Sequence, residues 1–415
     1  MRRTVYWLSL AFIFMIPWEG VIRIPGLGTG AKLTGLAAGG CWLALIMMTG
    51  RVRTPDPFLV LTTAFVVWVA ASVWWSTDTL DSWRLVVTWA QSLALVYIIW
   101  DIFRTSPAIH AALQAYVLGV YVAVLGAVLN YSASEAFYTN YERYSPGNTN
   151  PDGFGFLIAL GIPVAFYLAG RPGAGRLRGL RRLVNYGFVP VAFYGLALSG
   201  TRTAAIAAGL GTLFGIASLT RLRPLTRVVV IVVFGIALYS LAPLISPLES
   251  FQRFGTTATE VTQGDLNGRV EQWSQGLVSF EDHPIVGIGA NRFRSVNTLG
   301  KEAHNSFVSV LVELGLVGLT LFVAVIGVAL ARALATQGWD RYFWLTILGV
   351  WAIGASTLTW EHRKSTWLFL SLMVAAGAEA QARAAQRSAA LAAKGAPSPS
   401  PRRAALVGVA PARRA

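Results

Sequence analysis

The chain has 415 residues, of which 55% are hydrophobic and 13% are charged. Because a soluble domain carries about 25% charged residues, this composition excludes an ordinary water-soluble fold. The formal net charge is +15, and the sequence holds one cysteine, Cys41. A single cysteine excludes an intramolecular disulfide bond and argues against a cysteine-based metal site.

Apolar runs recur along the chain, and each is long enough to cross a bilayer core of roughly 30 Å. Pro17 and Glu19 interrupt the first run and further runs follow it, so we expect a retained helix rather than a cleaved signal peptide. The fold class expected is an all-α polytopic membrane protein with about twelve transmembrane helices. In chain order the predicted spans are residues 4–22, 31–49, 57–75, 82–102, 110–130, 153–170, 183–199, 203–220, 226–244, 305–331, 341–359 and 365–381.

Lys and Arg are distributed unevenly between the two sets of connections. With the N-terminus inside, the inner connections and the C-terminal tail hold 22 of the 34 Lys and Arg residues. Cytoplasmic loops carry such an excess, so both termini are expected in the cytoplasm. Anionic membrane lipid accounts for the positive charge, and we expect no nucleic-acid partner.

The span pattern divides the chain into four parts. Residues 1–244 hold nine predicted spans, 245–304 form an outer loop with short helices, 305–382 hold three more spans, and 383–415 form a basic tail expected to be disordered. In the long loop, a helix over 268–282 is predicted, since Val270, Trp273, Leu277 and Phe280 recur at helical spacing. Such a helix can lie on the bilayer surface or cap a cavity.

Several cations lie on the side where the orientation rule predicts few. An anionic, lipid-linked substrate held at the membrane surface would explain why they are kept there. The set consists of Arg143, Arg202, Arg269, Arg292, Arg294, Lys301, His304, Arg363 and Lys364.

Three stretches on this side carry an ordered set of motifs. They are SGTRTA (199–204), the region from GRVEQW (268–273) to HPIVGIG (283–289), and HNSFVSVLVELGLVGL (304–319). Together they resemble the O-antigen ligase and polymerase superfamily of bacterial envelope enzymes, over about residues 195–320. The resemblance implies a fold like that of the C-type glycosyltransferases (GT-C), with residues 245–304 as a helical periplasmic lid.

The chemistry of such a transfer assigns roles to these residues. A diphosphate leaving group needs cations to stabilise its developing charge, which we expect from Arg202 and Arg269, and His304 would activate the acceptor hydroxyl. Glu313 is expected to be structural, and no metal ligand cluster or cofactor is predicted. The candidates for further substrate contact are Arg143, Arg292, Arg294, Lys301, Asn305, Arg363 and Lys364, and Asn305 is also the expected helix cap.

The resemblance leaves the acceptor open. An O-antigen ligase in the bacterial inner membrane would move undecaprenyl-diphosphate-linked O-antigen to the lipid A core oligosaccharide at the periplasmic face. A polymerase would join repeat units, and a protein O-oligosaccharyltransferase would pass the glycan to Ser or Thr. A transporter for the same lipid would instead place charged or broken-helix features near the bilayer midplane.

Overall fold

The computed structural model describes residues 1–139, 141–171, 177–256 and 268–395. These residues hold fourteen α-helices and one two-stranded antiparallel hairpin. The strands are β1 (Arg23–Ile24) and β2 (Gly28–Thr29). The helices are α1 (Arg2–Met15), α2 (Gly30–Thr49), α3 (Pro57–Ala71), α4 (Thr79–Ile102), α5 (Ser106–Ser132), α6 (Pro151–Gly170), α7 (Leu177–Ser199), α8 (Arg202–Leu219), α9 (Pro224–Ile245), α10 (Glu249–Gln252), α11 (Arg269–Asp282), α12 (Ser306–Ala335), α13 (Gly338–Thr357) and α14 (Lys364–Gly395).

Every predicted span coincides with a helix, and the all-α membrane fold is confirmed. Among the described residues, eight helices are long and apolar enough to cross a membrane. Consecutive helices run in opposite directions, so the connections gather at two ends of the bundle. One end, here called the loop-rich end, carries the connections 133–150 and 246–305. The Arg-rich connections lie at the opposite end.

Helix α6 forms the centre of the bundle, and α9 lies at its edge. In α6, 89% of an 18-residue stretch is buried, whereas the corresponding stretch of α9 is 0% buried. Small residues allow helices to approach α6 closely: a Cβ added at Gly211 of α8 would lie 2.7 Å from Pro163. Helix α6 therefore brings the ends of its neighbours together at the loop-rich end.

Two helix ends differ most from the prediction. The first span was predicted over 4–22, but α1 ends at Met15 and a 3-10 turn (Ile16–Trp18) follows, because Pro17 has no N–H to continue the helix. At the other terminus, α14 continues past residue 383 to Gly395, since its Ala-rich sequence favours helix. Residues 257–267 of the predicted lid and 396–415 of the predicted tail lie outside the described residues.

Candidate functional site

The turn between α7 and α8 sets the position of Arg202, which begins α8. Gly200 has φ +57° and packs so closely on the next segment that an added Cβ would lie 2.8 Å from the carbonyl oxygen of Ser250. Arg202 Nε donates to the carbonyl oxygen of Arg253 at 2.8 Å, and Arg253 donates back to that of Gly200 at 3.2 Å. The two contacts place Arg253 beside Arg202, a neighbour that sequence reasoning missed.

Arg143 lies beneath the same turn, with its donors committed to protein groups. It is 6% exposed. Its guanidinium donates to the Ser199 carbonyl oxygen at 2.7 Å, to Asp152 at 2.5 Å and to the Thr201 hydroxyl at 2.9 Å. Arg143 thus links the loop before α6 to the start of α6 and to the turn between α7 and α8, so its observed contacts are structural.

His304 is the residue before the cap of α12, not the first residue of the helix. The Asn305 side chain accepts from Phe307 N at 2.9 Å and Val308 N at 3.2 Å, as expected of an N-cap. His304 itself has φ +48°, a left-handed conformation that costs energy in an L-residue. Its backbone N–H donates to Thr359 Oγ1 at 3.1 Å, which ties this corner to the start of α14.

The imidazole of His304 lacks a hydrogen bond where one would be expected. Its Nδ1 atom is buried and has no hydrogen-bond partner among the described residues. Burial lowers the pKa of His304 below its usual range, and the positive charge of Arg269 lowers it further. Glu302 and Asp152 oppose this shift without cancelling it. The ring is therefore neutral at neutral pH and able to accept a proton.

Arg269 begins α11, the predicted helix of the long loop. Trp273 fixes this helix beside His304, because its indole N–H donates to the carbonyl oxygen of Ala303 at 2.6 Å. The buried residues of α11 are Gln272 and Gly276. An added Cβ at Gly276 would lie 2.6 Å from Phe293, so the glycine allows the helix to pack closely there.

The apolar residues that predicted α11 do not all face the protein. Val270 is 45% exposed and Leu277 is 40% exposed. The close packing at Gly276 turns this part of the helix outward. Sequence periodicity thus identified the helix but not the face that it buries.

The remaining predicted cations are spread over the loop-rich end. The positive charge of Lys301 lowers the pKa of His304. Arg294 is paired at 2.5 Å with Glu302, the residue after Lys301. Arg292 instead approaches Asp78, before α4, at 3.6 Å. Lys364 is paired with Glu19, and exposed Arg363 lies beside it at the start of α14.

The segment 284–293, here called the docked loop, occupies a break in α12. Gly315 has φ +68° inside α12, which interrupts the helix. The N–H groups of Leu316 and Val317 then donate to the carbonyl oxygens of Pro284 and Ile285, at 2.9 and 3.3 Å. In the other direction, the Gly289 N–H donates to the Glu313 carbonyl oxygen at 2.9 Å. The Pro-x-x-Gly-x-Gly and Glu-x-Gly motifs thus form one backbone interlock.

Glu313 completes this interlock. It is 8% exposed, and its two carboxyl oxygens accept from Asn291 N and Phe293 N, each at 2.9 Å. Both contacts are to backbone of the docked loop. Its observed role is structural, in agreement with the expectation from the sequence.

An apolar groove of about 630 Å³ lies between α5, α7 and α9. Val128, Tyr194 and Leu241 line it, and each lies within roughly one and a half turns of its helix end at the loop-rich end. Since α9 has no fully buried residue, the groove opens sideways and can receive an apolar chain from the membrane.

Two acidic residues near His304 were missed from the sequence. Asp152 follows Asn150 and Pro151 at the start of α6, a pattern that indicates only a helix beginning. Glu302 lies two residues before His304. Both could have been identified in the sequence as acidic residues on the same side of the membrane as the predicted cations. Among the described residues, no group of three or more His, Cys, Asp or Glu side chains is arranged to hold a metal ion.

Comparison with known proteins places these segments in one region. A family described as O-antigen ligase matches residues 187–323. The chain is also 26% identical, over 320 residues, to the exopolysaccharide production protein ExoQ of Rhizobium meliloti (strain 1021). That alignment covers 70% of this chain and 69% of the relative. The family region contains Arg202, Arg269 and His304.

Proposed function

We propose that the chain is an O-antigen ligase, because residues 187–323 match the O-antigen ligase family and the relative from Rhizobium meliloti supports a ligase- or polymerase-type enzyme. It would transfer a polysaccharide from undecaprenyl diphosphate to a sugar hydroxyl of lipid A core. The observation that carries the proposal is His304: burial and Arg269 lower its pKa, and its buried Nδ1 atom has no hydrogen-bond partner among the described residues.

The donor would bind across Arg202, Arg253 and Arg269. Arginine pairs with phosphate oxygens through two parallel hydrogen bonds and stays charged. The Arg202 guanidinium donates to the Arg253 carbonyl oxygen and the Arg253 guanidinium to that of Gly200, so both charged groups are held at this turn before substrate arrives. Charge that develops on the departing diphosphate would then be stabilised without reorganisation of the protein.

The polyprenyl chain of the donor would lie in the apolar groove between α5, α7 and α9. The loop-rich ends of α7 and α9 lead directly to the segment that holds Arg202 and Arg253. A lipid seated in the groove would therefore present its diphosphate to these arginines. This placement requires the loop-rich end to face the periplasm of the inner membrane, with both termini in the cytoplasm.

The acceptor hydroxyl would lose its proton to His304. Its oxygen forms a bond to the anomeric carbon while the bond from that carbon to the diphosphate oxygen breaks, and His304 takes the proton. Asp152 is paired with Arg143 and Glu302 with Arg294, so both carboxylates already have a partner and we assign neither as a nucleophile. A single displacement follows, with inversion at the anomeric carbon and no covalent glycosyl intermediate.

A second candidate is a polymerase that extends a secreted polysaccharide. The name of the relative from Rhizobium meliloti, which refers to exopolysaccharide production, favours it. The chemistry at the donor would be the same, and the acceptor would be the hydroxyl of another repeat unit. Transfer to protein Ser or Thr has no comparable support.

The structure contains a feature that the transporter alternative predicts, namely the broken helix α12. However, the backbone groups at that break are bonded to the docked loop, so they are not free to bind a transported substrate. The predicted cations are spread over the loop-rich end, and two of them, Arg269 and Lys301, lower the pKa of His304 there. These observations favour a transferase.

A reconstituted transfer assay tests the proposal. Purified protein in detergent receives undecaprenyl-diphosphate polysaccharide and lipid A core, with EDTA present. We expect ligated product from the parent and from Arg84→Gln, an exposed cation of the same end, but a loss of at least about a hundredfold from Arg202→Gln. NMR of the product should show an inverted anomeric centre.

The other outcomes separate the alternatives. Longer donor chains without core attachment would identify a polymerase. Donor binding without transfer, in parent and variants alike, would support a transporter. A retained anomeric configuration would contradict the single displacement.

A further inference from the structure

A second cavity at the loop-rich end lies apart from the proposed donor site. It has a volume of about 280 Å³, close to the lower limit of roughly 300 Å³ for ligand pockets. The cavity lies between the end of α1, the β1–β2 hairpin, the segment 148–150 and the start of α14. None of these elements carries Arg202, Arg253 or Arg269. Its size suits about one sugar unit rather than a long chain.

The lining of this cavity combines positive charge with aromatic and amide groups. Its principal residues are Arg23, Phe137, Asn150, Trp360, Arg363 and Lys364. Glu19 also lines it, but is paired with Lys364. Arg23 and Arg363 are both exposed at its rim. The local charge is therefore positive, and the donors match a carboxylate or a phosphate group.

Two segments join the cavity to the surroundings of His304. The first runs from Asn150 to Gly153, and both of these residues line the cavity. Asp152 lies between them, and its negative charge raises the pKa of His304. The second precedes α14: Trp360 lines the cavity, and the adjacent Thr359 accepts the hydrogen bond from His304 N. The cavity thus shares its wall with the proposed base.

We infer that this cavity binds the acceptor through a sugar unit that carries an anionic group, either carboxylate or phosphate. The assignment to the acceptor rests on the proposed function; the affinity for an anionic sugar does not. Arg23 and Arg363 bind the anion, Asn150 and the aromatic rings contact the sugar, and the hydroxyl to be glycosylated extends towards His304. Within α6, Gly153 packs against Trp360 and Gly155 against Thr201, so acceptor and donor would approach different sides of the α6 N-terminus.

Ligand-observed saturation-transfer NMR on the full chain in neutral-lipid nanodiscs tests the binding. The probes are glucuronic acid, glucose 6-phosphate, glucose and glycerol 1-phosphate. We expect one or both anionic sugars to bind at least about fivefold more tightly than glucose, and that preference to vanish in Arg23→Gln/Arg363→Gln. The preferred anionic sugar distinguishes carboxylate from phosphate. The matched control, Arg84→Gln, should keep the preference, and His304→Asn should keep it too.

Three results would overturn the inference. Glucose binding as tightly as the anionic sugars would remove the anion requirement. Equal binding of glycerol 1-phosphate would identify a lipid headgroup site. Persistence of the preference in the double variant, at an unchanged melting temperature, would place the ligand elsewhere.

The transfer assay separates this inference from the proposed function. In an active preparation, the double variant should raise the acceptor KM about tenfold, with kcat and the donor KM within twofold of the parent. An unchanged acceptor KM would sink the acceptor assignment. An inactive parent would instead count against the proposed function, while the NMR result still decides whether the cavity binds an anionic sugar.

Discussion

The docked loop and the surroundings of His304 are built from neighbouring motifs, but they differ in whether their buried polar groups are hydrogen-bonded. In the docked loop, the carboxyl oxygens of Glu313 and the N–H groups exposed at the break in α12 are hydrogen-bonded. At His304, the buried Nδ1 atom has no hydrogen-bond partner in the described part of the chain, and an L-residue is held at φ +48°. Each such feature costs roughly 1–3 kcal/mol. The difference separates a motif that stabilises the fold from one that we propose takes part in the reaction.

The largest expected effect comes from replacing His304. Asn tolerates the left-handed backbone conformation but cannot act as the base, so His304→Asn should lower kcat by roughly 10²–10⁴-fold. The melting temperature should stay within a degree or two of the parent, because no hydrogen bond to Nδ1 is lost. Turnover and thermal unfolding are measured on the same preparation. His283→Asn, at an exposed histidine of the same end, is the matched control. A fall in kcat of less than tenfold would contradict the role of His304.

The docked loop should respond in stability. Gly315→Ala puts a Cβ at φ +68° against the carbonyl group of Ile285, which should cost roughly 1–3 kcal/mol in free energy of unfolding. Gly327→Ala in the same helix is the control, because an added Cβ there meets nothing within 4 Å. Thermal unfolding in detergent should show a clear drop for the first variant and none for the second. Equal midpoints would mean that the interlock does not stabilise the protein.

Glu313→Gln should loosen the docked loop without removing the reactive groups. The amide NH₂ cannot accept a hydrogen bond, so one of the N–H groups of Asn291 and Phe293 loses its partner, at a cost of roughly 1–3 kcal/mol. Hydrogen exchange measured by mass spectrometry should accelerate in peptides that cover 288–293. Glu271→Gln, at an exposed position on α11, should leave those peptides unchanged. Unaltered exchange in the Glu313 variant would refute the anchoring role.

The smallest effect should be a shift of the pH profile. The rate should fall in acid as His304 becomes protonated, with an apparent pKa below 6.5, because burial and Arg269 lower it. Lys301→Gln removes a positive neighbour, which favours the protonated ring, so the acid limb should move to higher pH. Glu302→Gln removes a negative neighbour and should move it to lower pH. Rates of transfer across pH 4–8 measure both shifts, and shifts of the same sign would exclude His304 as the titrating group.

The sequence by itself determined the helices, because the length and hydropathy of an apolar run are local properties that require no partner. It also marked His304, and it identified Asn305 as a cap because the capped N–H groups lie two and three residues away. The sequence identified Gly315 only as one residue of a motif and did not predict its conformation. Its consequence, a break filled by the docked loop, depends on a contact with Ile285 thirty residues earlier.

Only the tertiary structure decided which contacts each cation makes. Arg143 and Arg202 look alike in the sequence, but Arg143 is buried against Asp152 and Thr201 while Arg202 meets Arg253. The buried face of α11 was also set by packing, since Gly276 lies against Phe293. In each case the deciding energy is a contact between residues distant in the chain. A hydrophobic pattern records that a side chain can be buried, but not which partner it will meet.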